Sequence, residues 1–211
     1  MNFGDLIYLV PAALLAISGH EFAHGYVSWK LGDPTPKQDG RLSWNPLDHL
    51  DPMGTLCLIL FRFGWAKPVR INSYYYKDRK KGVLLVSLAG PAANFLMAFA
   101  GLFGIGLIYK FTGGYVGNVL GYFYTLLNYF VVLNVGLGVF NLIPVPPLDG
   151  SKAFGILAHN DENYMERHVN RNGYIVLALL AVTGLLSIPM RLAQNAVVGF
   201  LYAVVRFLLH I

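Results

Sequence analysis

Long apolar runs, separated by short polar segments, dominate the chain. Val83 to Tyr109 has no ionisable side chain except its last tyrosine, and about 20 apolar residues suffice for a helix to cross a hydrocarbon core about 30 Å thick. We predict five transmembrane helices, at about Leu6 to Trp29, Val83 to Tyr109, Val116 to Leu142, Tyr174 to Pro189 and Leu192 to Leu209. The last two are short and closely spaced, so they form either a helical hairpin or an interfacial helix and one span.

The composition supports a membrane protein. Of the 211 residues, 55% are hydrophobic and 13% are charged, whereas about 25% are charged in a typical soluble domain. We therefore predict an all-α, polytopic membrane protein in which residues 1–211 form a single domain in the lipid bilayer.

The basic residues indicate an orientation. Ten of the 16 lysines and arginines lie between the first two predicted spans, and the positive-inside rule places that segment in the cytoplasm. The predicted topology has the N-terminus outside and the C-terminus inside. Anchoring at the cytoplasmic membrane face explains the net charge of +5, so we predict no nucleic-acid partner. The single cysteine, Cys57, cannot form an intramolecular disulfide.

The motif HEFAH, from His20 to His24, lies near the cytoplasmic end of the first predicted helix. Residues i and i+4 share one helical face, so both imidazoles can bind one Zn²⁺ while Glu21 lies beside the open coordination position. The alternative is a pair of histidines that only hydrogen-bond to neighbouring helices. A glutamate between them inside the membrane is costly without a function, which favours the metal site.

A catalytic zinc usually has three protein ligands and one position for water. The candidate third ligand is Asp149, which lies in the segment NLIPVPPLDGSKAF (Asn141 to Phe154). The prolines of this segment end the preceding helix, and Gly150 permits a sharp turn after the aspartate. An interrupted helix at membrane depth is tolerated where it lines a cavity. The alternative role of Asp149 is the N-cap of a helix that begins near Ser151.

These motifs together resemble the site-2 protease family of intramembrane zinc metalloproteases. The similarity rests on HEFAH and NLIPVPPLDG, and it extends to FGWAKPVRIN (Phe63 to Asn72) and SLAGPAANF (Ser87 to Phe95). The chain resembles a short form, without PDZ or CBS regulatory domains and without the helix that precedes the HExxH helix in six-helix members. The resemblance implies a catalytic core over about residues 6–157, followed by a C-terminal helical hairpin over about residues 172–211.

The resemblance also implies the site. One Zn²⁺ would be bound by His20, His24 and Asp149, with Glu21 as the general base. In this family's proline-rich motif the asparagine corresponds to Asn141, which would stabilise the oxyanion or hold the substrate; the alternative is an interhelical hydrogen bond.

Two further residues are predicted to support the site without reacting. Asn94 lies in GPAANF, where Gly90 and the alanines allow close helix packing, and its amide could orient a ligand. Gly150 is predicted to be structural.

The stretch from Gly54 to Ile71 is too short and too interrupted for a comfortable span. We predict that it forms a re-entrant or membrane-associated β-hairpin between the first two helices, whose edge pairs with an extended substrate. Such pairing is needed because a substrate helix must unwind before its peptide bonds are accessible. The sequence alone equally allows an interfacial loop.

The expected function is hydrolysis of a peptide bond within or near the transmembrane segment of a membrane protein substrate. The expected location is the cell membrane of a prokaryote, with the active site toward the cytoplasm. The alternatives are a metal-ion transporter, which would hold the ion in transit in broken helices, and a non-proteolytic zinc-binding membrane scaffold.

Other polar residues are predicted to lie outside the site. His49 is predicted to be a surface histidine, and the acidic cluster of Asp161, Glu162 and Glu166 a solvated loop. The three tyrosines at residues 74–76 are predicted to mark the membrane interface.

Overall fold

The computed structural model describes residues 3–43, 45–61, 67–169 and 173–211. Within these ranges the chain is helical, and no β-strand is present. The helices are α1 (Leu6–Lys30), α2 (Thr35–Gln38), α3 (Pro52–Phe61), α4 (Arg79–Thr112), α5 (Asn118–Asn141), α6 (Asp149–His159), α7 (Tyr164–Val169), α8 (Gly173–Val182) and α9 (Ser187–Leu209).

Four of the described helices are long and apolar enough to cross a membrane: α1, α4, α5 and α9. The predicted fourth span is not among them. The described part of α8 has 10 residues, about 15 Å, and residues 170–172 before it lie outside the described residues. The choice between a helical hairpin and an interfacial helix with one span therefore stays a prediction. Gly184, with φ of 70°, follows α8 and separates it from α9. The last helix begins earlier than predicted, since Pro189 lies in its first turn, where proline is tolerated.

The predicted β-hairpin is not found in the described part of its stretch. Helix α3 covers the first half, and residues 67–72 have no regular secondary structure. Residues 62–66, at the centre of the prediction, lie outside the described residues. A helix satisfies its own backbone groups in an apolar environment, whereas a strand needs a partner, which favours α3 for this leucine-rich run.

Helix α4 has well-defined ends. At its N-terminus the Asp78 carboxylate accepts a hydrogen bond from Lys81 N at 3.1 Å, and this bond is the main reason that the pKa of Asp78 lies below its ordinary value. At its C-terminus Gly113 adopts the left-handed conformation, with φ of 60°. The 34 residues make a helix about 51 Å long, so its ends extend beyond the hydrocarbon core.

The packing core lies between α4, α5 and α9. It consists of buried aliphatic side chains that the three helices contribute: Ala98, Leu102, Val131, Val135, Leu201, Val205 and Leu209. Glycines on α4 allow this close approach, because a Cβ on Gly101 would lie 2.8 Å from Val131 and one on Gly106 would lie 2.6 Å from Leu209. Helix α1 packs against α4 and α5.

The two chain ends lie on the same side of the helix bundle. Lys110, near the C-terminus of α4, donates a hydrogen bond to Leu209 O at the end of α9, at 2.7 Å. The ring of Tyr8 at the start of α1 lies 5.1 Å from that of Tyr122 near the start of α5. With the four long helices of the described residues as spans, both chain ends lie on one side, and the predicted outside-to-inside topology, which needs a fifth span, stays a prediction.

Candidate metal centre

Three potential metal ligands converge at the contact between α1 and the start of α6. His20 Nε2 and His24 Nε2 are 3.0 Å apart, and Asp149 Oδ2 lies 3.2 Å from each of them. A tetrahedral zinc with bonds of about 2.0–2.1 Å requires ligand atoms about 3.3–3.4 Å apart. The triangle therefore has nearly the size of one face of a zinc tetrahedron, and both histidines are buried.

Hydrogen bonds orient both imidazoles toward a metal. His20 Nδ1 donates to Asn94 Oδ1 at 2.6 Å, and His24 Nδ1 donates to Val86 O at 2.7 Å. Because both partners are acceptors, the ring protons lie on Nδ1 and the Nε2 lone pairs face Asp149. The Asp149 Oδ2 atom is buried and has no hydrogen-bond partner. Three electron-rich atoms in this arrangement repel one another unless a cation lies between them, so the residues fit Zn²⁺.

Asn94 is held in a single orientation. Its Nδ2 group donates to Ala16 O at 3.1 Å and to Asn134 Oδ1 at 2.9 Å, which leaves Oδ1 to accept from His20. Asn94 and Asn134 are fully buried. Asn94 thus contacts His20, and its predicted role in orienting a metal ligand stays a prediction. Asn134 was not predicted from the sequence. A polar residue at an otherwise apolar helix–helix contact is the signal that points to it.

Gly90 forms the wall of the site on α4. A Cβ at this position would lie 2.5 Å from His20 Cε1 and 2.5 Å from His24 Nε2. Gly90 was predicted to allow close helix packing. In the structure the groups that pack against it are the two imidazoles, which lie directly against the α4 backbone.

Asp149 is the first residue of α6, and it makes no capping hydrogen bond. Its alternative role as an N-cap is therefore not found. The predicted sharp turn at Gly150 is wrong, because Gly150 is helical and buried. Its missing side chain matters for another reason: a Cβ would lie 2.2 Å from Leu142 O. Gly150 thus allows α6 to pack against the chain that follows α5.

Glu21 lies on α1, and its carboxylate contacts the irregular segment that precedes α4. Its Oε2 atom accepts a hydrogen bond from Val69 N at 3.0 Å. The carboxylate is therefore held by the irregular segment that precedes α4, and it follows His20 directly in the sequence. The predicted role of Glu21 beside the metal ligands stays a prediction.

A buried aspartate, Asp33, fixes the segment that holds Glu21. It accepts hydrogen bonds from Asn72 N at 2.8 Å, from Thr35 N at 2.9 Å and from Ser28 Oγ at 2.8 Å. Burial alone would raise the pKa of Asp33, but these hydrogen bonds outweigh burial and hold the pKa below its ordinary value. The structural role of Asp33 was not predicted from the sequence, although an aspartate in Gly-Asp-Pro after a helix is a typical turn signal.

Tyr76 belongs to the same anchor. Its hydroxyl lies 2.7 Å from Ser28 Oγ, and burial raises the pKa of this phenol. The prediction of an interfacial tyrosine is wrong for Tyr76, which is buried, while Tyr74 is exposed.

Asn141 is the last residue of α5. Its Nδ2 group donates to Leu137 O in the same helix at 3.0 Å, so the alternative prediction of an interhelical hydrogen bond does not describe this contact. The predicted role of Asn141 toward the substrate stays a prediction.

Two predictions of solvated side chains are wrong. His49 is 1% exposed, and its Nε2 lies 3.0 Å from Ser43 O. Glu162 is largely buried, with Oε1 2.5 Å from Arg79 at the start of α4. The sequence places both residues in polar segments. In the structure, a backbone or side-chain group of a neighbouring loop or helix covers each of them.

Comparison with known proteins supports a metalloprotease assignment. The profile of Peptidase family M50 matches residues 8–184. YwhC of Bacillus subtilis, named as a candidate zinc metalloprotease, is 38% identical over 193 residues, which cover 90% of this chain and 86% of YwhC. Rip2 of Mycolicibacterium smegmatis, named likewise, is 28% identical over 190 residues, covering 87% of this chain and 70% of Rip2. No solved structure matches the chain.

Proposed function

The chain belongs to peptidase family M50, and we propose that it hydrolyses peptide bonds within or near the transmembrane segments of membrane proteins as a zinc metalloprotease. The observation that carries this proposal is the triangle of His20 Nε2, His24 Nε2 and Asp149 Oδ2, with edges of 3.0–3.2 Å. Both histidines lie on α1, which is long enough to span a bilayer. Metal transport is not favoured, since the family and its named relatives are peptidases.

In this proposal His20, His24 and Asp149 hold one Zn²⁺, and Glu21 is the general base. When bound, zinc would supply Lewis-acid chemistry, by polarising the scissile carbonyl and lowering the pKa of a water from about 15.7 to about 7. Glu21 would accept a proton from the attacking water and deliver it to the leaving amine. The Val69 N–H group holds Glu21 Oε2 and fixes the direction of the carboxylate.

Asn94 and the Val86 carbonyl keep the two imidazole protons on Nδ1, so that both Nε2 atoms stay available to the metal. Asn141 is proposed to contact the substrate once it is bound. The substrate must be extended near the metal, and we propose that it pairs with the backbone around Val69, beside Glu21.

The proposed location is the cell membrane of a bacterium, since the named relatives are bacterial proteins. Lys77, Lys80 and Lys81 cluster at the start of α4, at the end of the bundle closer to the metal ligands. By the positive-inside rule this end faces the cytoplasm.

The test is cleavage of single-span substrates by the purified chain in proteoliposomes, with zinc content measured in parallel. We expect Glu21→Gln to reduce turnover about 10²- to 10⁴-fold while zinc content stays unchanged, because the variant loses proton transfer and keeps every ligand.

The matched control is Asp78→Asn, which changes a carboxylate to an amide at the exposed N-cap of α4 and keeps a good capping residue. It should cleave as the wild type does. Equal cleavage by wild type and Glu21→Gln would disprove the role of Glu21, and a loss of zinc from Glu21→Gln would point to a ligand role instead.

A further inference from the structure

A cavity of about 280 Å³ opens beside the metal centre. It lies between the start of α4, the first turns of α6 and the loop that precedes α7. Its polar lining includes Arg79, Lys152, Glu162 and Ser87, and none of these side chains has a role in the proposed hydrolysis.

The cavity is adjacent to two ligands. Val86 lines it, and the carbonyl of the same residue accepts the hydrogen bond from His24 Nδ1. Lys152 follows Asp149 by three residues on α6, so the two side chains lie on the same helical face, about 4.5 Å apart along the axis. A polypeptide bound at the metal would therefore pass the mouth of the cavity.

The charges of the lining leave one cation unpaired. Arg79 is paired with Glu162, at 2.5 Å, whereas Lys152 has no ion-pair partner among the described side chains. The Glu162 Oε2 atom is buried without a hydrogen-bond partner. Because that oxygen is enclosed by protein, the group that the cavity offers to a ligand is the ammonium of Lys152, whose side chain is exposed, and an acidic side chain of a peptide is an anion that it can bind.

We propose that this cavity is a specificity subsite, in which Lys152 binds an acidic side chain on the cytoplasmic flank of the substrate. The proposal rests on the protease function and on the cytoplasmic orientation proposed above. A lysine side chain reaches about 6 Å, and an extended peptide advances about 3.3 Å per residue. The acidic residue therefore lies about two to four residues from the scissile bond.

The subsite would also disfavour membrane proteins with a basic flank. Single-span proteins generally carry lysine or arginine at their cytoplasmic flank, and a basic side chain placed against Lys152 is repelled. Selectivity then comes from exclusion as well as attraction. A protease that acts inside the bilayer meets many spans, and this repulsion would reserve cleavage for those with an acidic flank.

The test uses synthetic single-span substrates with about 20 apolar residues and one variable residue, Glu, Gln or Lys, moved along the cytoplasmic flank. With the full chain in proteoliposomes, we expect kcat/KM for Glu to exceed that for Lys by about five- to tenfold at one or two neighbouring positions, with Gln between them. Lys152→Gln should abolish the difference, and Lys152→Glu should invert it.

The matched control is Lys80→Gln, which removes a charge from the exposed start of α4 outside the cavity. It should keep the wild-type preference. Three results would overturn the subsite: no preference in the wild type, the same preference in Lys152→Gln, or an equal loss in Lys80→Gln, which would indicate a diffuse surface potential.

Binding separates the failure of the subsite from failure of the protease function. Fluorescent versions of the same peptides are titrated against zinc-loaded Glu21→Gln, with and without Lys152→Gln. A preference for the Glu peptide that requires Lys152 supports the subsite even if no substrate is cleaved, whereas equal binding of the Glu and Lys peptides rejects it even if cleavage occurs.

Discussion

Asn134 on α5 accepts a hydrogen bond from Asn94 on α4 at 2.9 Å, and both side chains are fully buried. The bond uses one Nδ2 hydrogen of Asn94, and the second is donated to Ala16 O on α1. Asn94 Oδ1 is therefore left to accept the proton on His20 Nδ1. Three membrane-spanning helices are joined at one amide, which determines which nitrogen of His20 faces the metal.

We expect Asn134→Leu to weaken zinc binding about 10- to 100-fold, the loss that is typical when a group supporting a metal ligand is removed. Leucine has a similar volume but no acceptor, so the Asn94 amide loses a partner and can rotate. Competition with a chelator measures the affinity. Asn128→Leu is the control, because Asn128 is on the same helix and only hydrogen-bonds to Tyr124 O at an exposed position. Equal affinities in the two variants would contradict the coupling.

Gly90→Ala should eliminate the metal site. Its Cβ would lie 2.5 Å from atoms of both imidazoles, so the histidines must move away from each other or from Asp149. We expect less than about a tenth of the wild-type zinc content after dialysis against a weak chelator. The control is Gly199→Ala on α9, where a Cβ meets nothing within 4 Å and alanine favours the helix. Full zinc content in Gly90→Ala would show that the site can expand.

Asp33→Asn should destabilise the anchor of the segment that holds Glu21. The amide accepts fewer hydrogen bonds than the carboxylate and leaves buried donors unpaired, at a cost of about 1–3 kcal/mol. Because the pKa of Asp33 is below its ordinary value of 3.8, its contribution is complete above that value and disappears as the pH falls through the folded-state pKa.

The melting temperatures of wild type and Asp33→Asn in detergent, compared at about pH 7, 5 and 3, check this prediction. The difference should be constant at the two higher values and smaller at the lowest. Asp39→Asn is the control, since it removes an ion pair with Arg70, a side chain that is 78% exposed, and such pairs contribute little. A pH-independent difference for Asp33→Asn would exclude the carboxylate as its cause.

Removal of zinc should lower the stability of the wild type. Without a cation, the buried Asp149 carboxylate oxygen faces two imidazole lone pairs with no hydrogen bond to compensate. At a free zinc concentration of about 100 times the dissociation constant, binding contributes about 2.7 kcal/mol. A chelator should lower the melting temperature, and added zinc should restore it. Asp149→Asn should bind zinc weakly and respond little; an equal response would mean that the chelator acts elsewhere.

The convergence of His20, His24 and Asp149 was predictable because the signals of these residues are local or chemically costly. The spacing of His20 and His24 requires only helix geometry, and an aspartate in the apolar context of Asp149 needs a reason. The supporting residues were harder to predict. Asn134 acquires its role only through a contact between two helices, and Gly90 only through the position of the imidazoles.

The errors have a common physical origin. The burial of His49, Tyr76 and Glu162 depends on which neighbour covers each side chain. Hydropathy reports how apolar a segment is but not what lies against it. The predicted segment from Tyr174 to Pro189 is apolar enough for a span. The left-handed residue Gly184 and the early start of α9 nevertheless divide this segment.

His24 lies in the first helix of the chain, whereas Asp149 follows the third of the four long apolar helices. During synthesis, α4 and α5 are therefore made before the third ligand. A chain interrupted before Asp149 carries both histidines but cannot assemble the centre. The order of the ligands thus delays the appearance of hydrolytic activity until the chain has been made at least as far as Asp149, and shorter products lack the complete centre.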